Sequence, residues 1–157
     1  MDSVRKVIYP RKRGTAEWVR IIKKAHSLEI PSTATIMYGS YETAKDQAEH
    51  LGILRSIQDE THGFTELVTL SYLNTNTLLY KEGVTRAGAT GREDLLMIAV
   101  SRLFLDNFGN IQVPWGKMGP KMTQMLLLTS GNDLTGTMFS DDVSTNQGQA
   151  MQIISIL

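Results

Sequence analysis

TATIMYG, residues 33–39, decides the fold. The run is β-branched, almost continuously apolar and closed by a glycine. A strand with one face in water alternates polar and apolar residues. A run without that alternation predicts a strand buried on both faces, as in a parallel sheet with helices outside it. Upstream, Thr15 after Gly14 is a plausible N-cap, and Trp18, Ile21, Ile22 and Ala25 repeat at helical spacing. That helix should stop near Glu29, because Pro31 disfavours a helical Ile30. Downstream, Thr43 opens a second helix with Ala44, Ala48, Leu51, Leu54 and Ile57 on one stripe, ended by His62-Gly63.

The same alternation continues. FTELVTLSYL (64–73) reads as a second strand, and the sixteen residues Asn74 to Ala89 read as a long lid or binding loop. Thr90 and Glu93 make the T-x-x-E capping box of a third helix carrying Leu95, Leu96, Ala99, Leu103 and Leu105. NIQVPW (110–115) is a third strand, Lys117 to Thr129 a Met- and Leu-rich helix with Met118, Met122 and Met125 as core, and DLTGTMF (133–139) a fourth strand. Helix and strand alternate throughout with short connections, which predicts an α/β protein with a parallel sheet. Four strands make half of a (β/α)8 barrel, and half a barrel leaves two open sheet edges. The apolar tail GQAMQIISIL has no evident partner.

At 157 residues and 41% hydrophobic content, one domain with a real core is expected. Sixteen basic residues balance sixteen acidic ones, so charge gives no case for nucleic acid or an anionic membrane. The basic run Arg11-Lys12-Arg13, near Arg5 and Lys6, reads as a solvated loop before a helix. The absence of cysteine excludes disulfides, thiolate zinc sites and cysteine-ligated iron–sulfur clusters within this chain. The first residues do not form a signal peptide and no run reaches membrane-spanning length, so a cytoplasmic protein is expected.

Parallel α/β proteins put their sites at the carboxyl ends of the strands. Four groups fall there: Tyr38-Gly39-Ser40 with Glu42; Ser71-Tyr72; Pro114-Trp115 with Lys117; and Asn132-Asp133 with Thr135 and Thr137. The last group fits the start of its strand equally well, where it would be a turn. Glu42 also suits the first turn of a helix, and Lys117 suits the surface. Glu66 lies within an apolar strand, where an unpaired charge is costly. It is paired with a cation, faces solvent or contacts a ligand. His26, His50 and His62 are scattered without metal-ligand spacing, and the glycines form no phosphate loop.

The segments RIIKKAHSLEIPSTATIMYGSYET, LRSIQDETHGFTELVTLSYLNTNTLLYKEG, GATGREDLLMIAVSRLFLDNFGNIQVPWGKMGPK and SGNDLTGTMFSDDVS together resemble the second half of a radical S-adenosylmethionine enzyme of deazaflavin (FO) biosynthesis. That family joins a tyrosine-derived 4-hydroxybenzyl group to 5-amino-6-(ribitylamino)uracil. Menaquinone-pathway futalosine enzymes share parts of the pattern. The resemblance covers nearly all of Val4 to Ser144, and implies the C-terminal half, about four β/α units, of a radical-SAM TIM-like barrel. Residues 1–144 would form that half-barrel and 145–157 a divergent tail.

The resemblance implies S-adenosylmethionine and a [4Fe–4S] cluster in the full-length family, held by a C-x-x-x-C-x-x-C loop that this chain does not contain. It places Tyr38, Gly39, Glu42, Glu66 and Ser71 on the S-adenosylmethionine side. Gln112, Trp115, Asn132, Asp133 and Thr137 fall near the substrates, tyrosine and the aminouracil. Five positions depart from the family pattern: Glu29 and His62 stand for Gly, Ser40 for His, Thr69 for Pro, and Thr135 for the first Gly of a GGT motif. The expected partner is an N-terminal half-barrel chain, or a second copy, joined through the open edges. A non-catalytic remnant and a small-molecule-binding domain are the alternatives.

Overall fold

A computed structural model describes residues 2–136. Four strands form one sheet in the order β1-β2-β3-β4, every neighbouring pair parallel. They are β1 (Ser32–Tyr38), β2 (Phe64–Ser71), β3 (Asn110–Val113) and β4 (Asp133–Leu134). The register sets Ile36 beside Thr69, Leu67 beside Ile111 and Gln112 beside Asp133. Helices α1 (Asp2–Ile8) and α2 (Thr15–His26) precede the sheet, and α3 (Ala44–Thr61), α4 (Leu78–Lys81), α5 (Gly91–Phe104), α6 (Trp115–Met118) and α7 (Pro120–Thr129) lie between strands.

Burial follows the two-residue period of the strands. Ala34, Ile36, Tyr38, Leu67, Thr69, Ile111 and Val113 are buried with Leu51, Leu54, Ile57, Met97, Ile98 and Leu126 of α3, α5 and α7. The intervening residues Thr35, Met37, Glu66, Val68, Leu70 and Gln112 stay exposed or half-exposed. The sheet therefore buries one face and leaves the other open, whereas the apolar runs predict burial on both. Helices α3, α5 and α7 cover one face, while on the other only α1 and the turn after it approach, beside β1.

Three local features differ from the sequence expectation. Gly14, not Thr15, is the N-cap of α2; the amide and hydroxyl of Thr15 donate instead to the Asp2 carboxylate, which fastens α1 to α2. The helix expected over 117–129 is two, α6 and α7, divided at Gly119 with φ 78° followed by Pro120. In α5 the buried side is Asp94, Met97, Ile98 and Ser101, while Leu96 and Leu103 face outward, Leu103 at 83% exposure. Met125 is likewise exposed rather than core.

Candidate functional site

The polar residues of the open face meet at β2, β3 and β4. Gln112 Nε2 donates to Glu66 Oε2 at 2.9 Å and to Asp133 Oδ2 at 3.3 Å, while Thr135 Oγ1 donates to Gln112 Oε1 at 2.8 Å. One amide thus ties two acids and a hydroxyl from three strand positions into a row. Desolvation, and then the neighbouring Asp133, raise the Glu66 carboxyl above the usual carboxylate range. Its hydrogen bond to Asp133 lowers the latter. The two acids thus titrate apart, Glu66 raised and Asp133 lowered, across the amide that both accept from. Among the described residues, no cation pairs with Glu66. Its partners are an amide and an acid.

At the carboxyl end of β1 the chain folds back on itself. Glu42 accepts from Gly39 N at 2.6 Å, Ser40 N at 3.0 Å, Ser40 Oγ at 2.7 Å and Gln47 Nε2 at 3.0 Å. These bonds hold Glu42 below the usual carboxylate range although its burial opposes them. Gly39 has φ 88°, and a Cβ there would stand 2.5 Å from the Ala89 amide nitrogen, so only glycine lets the 74–90 connection cross so closely. That connection is held over the strand ends. Arg86 N donates to Ser40 O at 3.2 Å, Thr85 Oγ1 to Tyr72 Oη at 3.2 Å, and Arg86 pairs with Glu93 at 2.6 Å. At the other end of the row, Trp115 Nε1 donates to Thr135 O at 2.7 Å, joining the ends of β3 and β4.

The remaining expected positions are placed elsewhere. Tyr38 lies under the helices, its hydroxyl donating to Asp94 Oδ1 at 2.7 Å. Ser71 belongs by alternation to the same covered face as Leu67 and Thr69. Asn132 precedes β4 and is a turn: its Oδ1 accepts from Ile111 N at 2.8 Å and from Arg102 Nη2 at 2.5 Å, and its Nδ2 donates to Gly109 O at 3.0 Å. Thr137 lies outside the described residues, as do the continuation of the fourth strand and the 145–157 tail. Sequence reasoning missed Asp94 and Arg102. Tyr38, the partner of Asp94, and Ser130 and Asn132, partners of Arg102, lie far off along the chain, and no local pattern announces them.

Fold and open face together define a parallel α/β domain that gathers its free polar groups on one sheet face and at the strand ends. The sequence model of the CofH/MqnC C-terminal region matches residues 61–155, and the chain belongs to that family. It is 61% identical over 148 residues to the 5-amino-6-(D-ribitylamino)uracil–L-tyrosine 4-hydroxyphenyl transferase of Methanosphaerula palustris, covering 94% of this chain and 40% of that relative. The same-named protein of Methanocaldococcus jannaschii is 47% identical over 148 residues, 94% of this chain and 41% of its own length. The chain thus spans about 40% of the length of the curated relatives it matches.

The chain's own donors do not make up a site for the cluster that the family resemblance implies. The sequence contains no cysteine. Among the described residues, no group of three or more histidines or acids is placed to hold a metal ion. Of the residues expected on the S-adenosylmethionine side, Tyr38 bonds Asp94 beneath the helices, Gly39 is closed by Ala89, Glu42 accepts four hydrogen bonds, and Glu66 lies in the open-face row. No helix among the described residues is long and apolar enough to cross a membrane.

Proposed function

We propose that this chain forms the C-terminal half of a radical S-adenosylmethionine (β/α)8 barrel, which transfers a tyrosine-derived 4-hydroxybenzyl group to 5-amino-6-(D-ribitylamino)uracil. The observation that carries the reading is the match across 94% of the chain to relatives bearing that transferase name. The one-sided parallel sheet supports it, since such a sheet gains cover for its open face by closing into a barrel. The [4Fe–4S] cluster and the cleavage of S-adenosylmethionine belong to cysteine-bearing polypeptide outside this chain, and the cytoplasm is the compartment that keeps such thiolates reduced.

Within that barrel the Glu66–Gln112–Asp133 row faces the lumen. It offers two acids and an amide, a set suited to a polar heterocycle with several N–H and C=O groups. Its role is to bind and orient substrate. The preceding β/α units pair along the free edge of β1.

The test is to purify the chain together with a polypeptide carrying the family's three-cysteine loop, reconstitute the cluster anaerobically, and assay with both substrates. Cleavage of S-adenosylmethionine coupled to the joined product is expected. A reconstituted pair that cleaves S-adenosylmethionine without coupling it to these two substrates would overturn the assignment of substrates. An absence of cleavage would overturn the assembly.

A further inference from the structure

Among the described residues β4 pairs with β3 at two positions, Gln112 with Asp133 and Val113 with Leu134. Side chains alternate between the faces of a sheet, so a slip of one residue would set Leu134 on the open face and turn Asp133 toward the helices. Two pairings are a weak hold on that choice. The entry to β4 supplies a stronger one. Asn132 N donates to Ile111 O at 3.1 Å, while its side-chain Oδ1 accepts from Ile111 N at 2.8 Å and its Nδ2 donates to Gly109 O at 3.0 Å. Backbone and side chain together occupy both polar groups of Ile111, so Asn132 fixes which residue comes next to Gln112.

The Asn132 amide is held in turn from α5. Arg102 Nη2 donates to Asn132 Oδ1 at 2.5 Å, Nη1 to Phe108 O at 3.2 Å and Nε to Ser130 O at 3.3 Å. A guanidinium only donates, so this contact keeps the amide oxygen turned toward Ile111 N. Its planar fork meets three acceptors on two segments, one entering β3 and the other β4, which a compact lysine ammonium would not match. Ser130 has φ 125°, a backbone region that crowds its Cβ, and the Arg102 bond to its carbonyl lies at that bend. None of the three bonds ends in the Glu66–Gln112–Asp133 row.

We infer that Arg102 is a positioning residue for the open-face row: acting through Asn132, it sets the register of β4 that brings Asp133 to Gln112. This setting of the row needs no cluster, substrate or partner. Its consequence for substrate rests on the proposed function, in which the row orients the aminouracil.

Carbon NMR titration of the carboxyl groups in the full chain tests the register. In the unmodified chain Glu66 should titrate above its ordinary 4.5 and Asp133 below its ordinary 3.8. Arg102→Met should bring both back toward those ordinary values, because the two acids lose contact. Asn132→Ala should do the same, and the double variant should move them no further than either change alone, since the two residues act in one path. Thr90→Ala, which weakens the cap of α5, should lower stability and leave both titrations in place. Two acids titrating together at ordinary values in the unmodified chain would overturn the inference with no variant having to fold. So would Arg102→Met that loses stability with both titrations unmoved, or Thr90→Ala that moves them equally. In the reconstituted assembly, Arg102→Met should still cleave S-adenosylmethionine but lose up to about a hundredfold in joined product, as a misplaced contact can cost. Titrations that move while joined product does not would uphold Arg102 as the register residue and detach the row from substrate, a failure of the proposed function alone.

Discussion

Glu29 holds a left-handed backbone, φ 58°, just after α2, a conformation that crowds the Cβ of any residue but glycine. Its side chain is exposed. The chain departs from the family pattern here, carrying Glu where the resemblance expects Gly. Glu29→Gly should therefore stabilise the fold by about 1 kcal/mol, read as a raised denaturant midpoint at unchanged slope. The other departures are absorbed locally. His62 takes φ 50° as the C-cap of α3, Ser40 Oγ bonds Glu42, Thr69 Oγ1 bonds the Gln112 carbonyl at 3.4 Å, and Thr135 bonds the Gln112 side chain. Of these, Thr135 alone joins the open-face row, through Gln112.

The same row makes a pH prediction. A carboxyl raised in the fold, as Glu66 is, gives stability that is fully present below its ordinary value of 4.5 and is lost as pH rises through the folded value. Asp133, lowered, works in the opposite sense, giving stability above its ordinary 3.8 that is lost as pH falls through the folded value. Glu66→Gln keeps a donor toward Asp133 and removes the second negative charge. Its melting temperature should equal the parent's near pH 4.5 and match or exceed it at neutral pH. A variant less stable than the parent only at neutral pH would contradict the raised Glu66 carboxyl.

Among elements, α5 was the most legible and also the most misleading. Its start is a full capping box: the Thr90 hydroxyl accepts from Glu93 N at 3.3 Å, while Glu93 Oε2 accepts from Thr90 N at 2.7 Å. Thr90→Ala should cost about 1 kcal/mol of stability, measurable by urea unfolding, and Thr90→Ser much less. The T-x-x-E pattern gave the start of the helix; the leucine pattern did not give its buried side. Apolar residues occupy both faces of α5, and only packing against β2, β3 and α7 selects Met97 and Ile98 over Leu96 and Leu103. Helices α1 and α4 escaped notice because seven and four residues carry too little periodicity. The long strand runs were plain, but Asn132 needed tertiary context. Arg102 donates to Ser130 O, Phe108 O and Asn132 Oδ1, a clamp between α5 and the entry to β4 that fixes Asn132 as a turn residue.

At the scale of the whole molecule, alternation of elements implied the parallel sheet, and the sequential order β1-β2-β3-β4 is the one a half-barrel requires. The open face was not legible, because a strand apolar on both sides has the same sequence whether one layer or two covers it. That face leaves Met37, Val68 and Leu70 half-exposed beside an unpaired edge of β1. Unpaired edges of this kind template further strand pairing. The outer surface adds Leu103 and Leu128, exposed at 83% and 90%, so more than one apolar surface favours association. Thr35 separates the alternatives, because it is exposed on the open side of β1. If association runs through this edge, Thr35→Lys should shift the sedimentation profile of the isolated chain toward monomer, because an edge lysine opposes strand addition. Leu103→Lys, on the far side of α5, should leave the profile unchanged. The reverse outcome would move the contact to the helical surface and remove the physical support for pairing along β1. A polypeptide supplying the preceding β/α units should compete with self-association for the same edge, and lose that ability against Thr35→Lys.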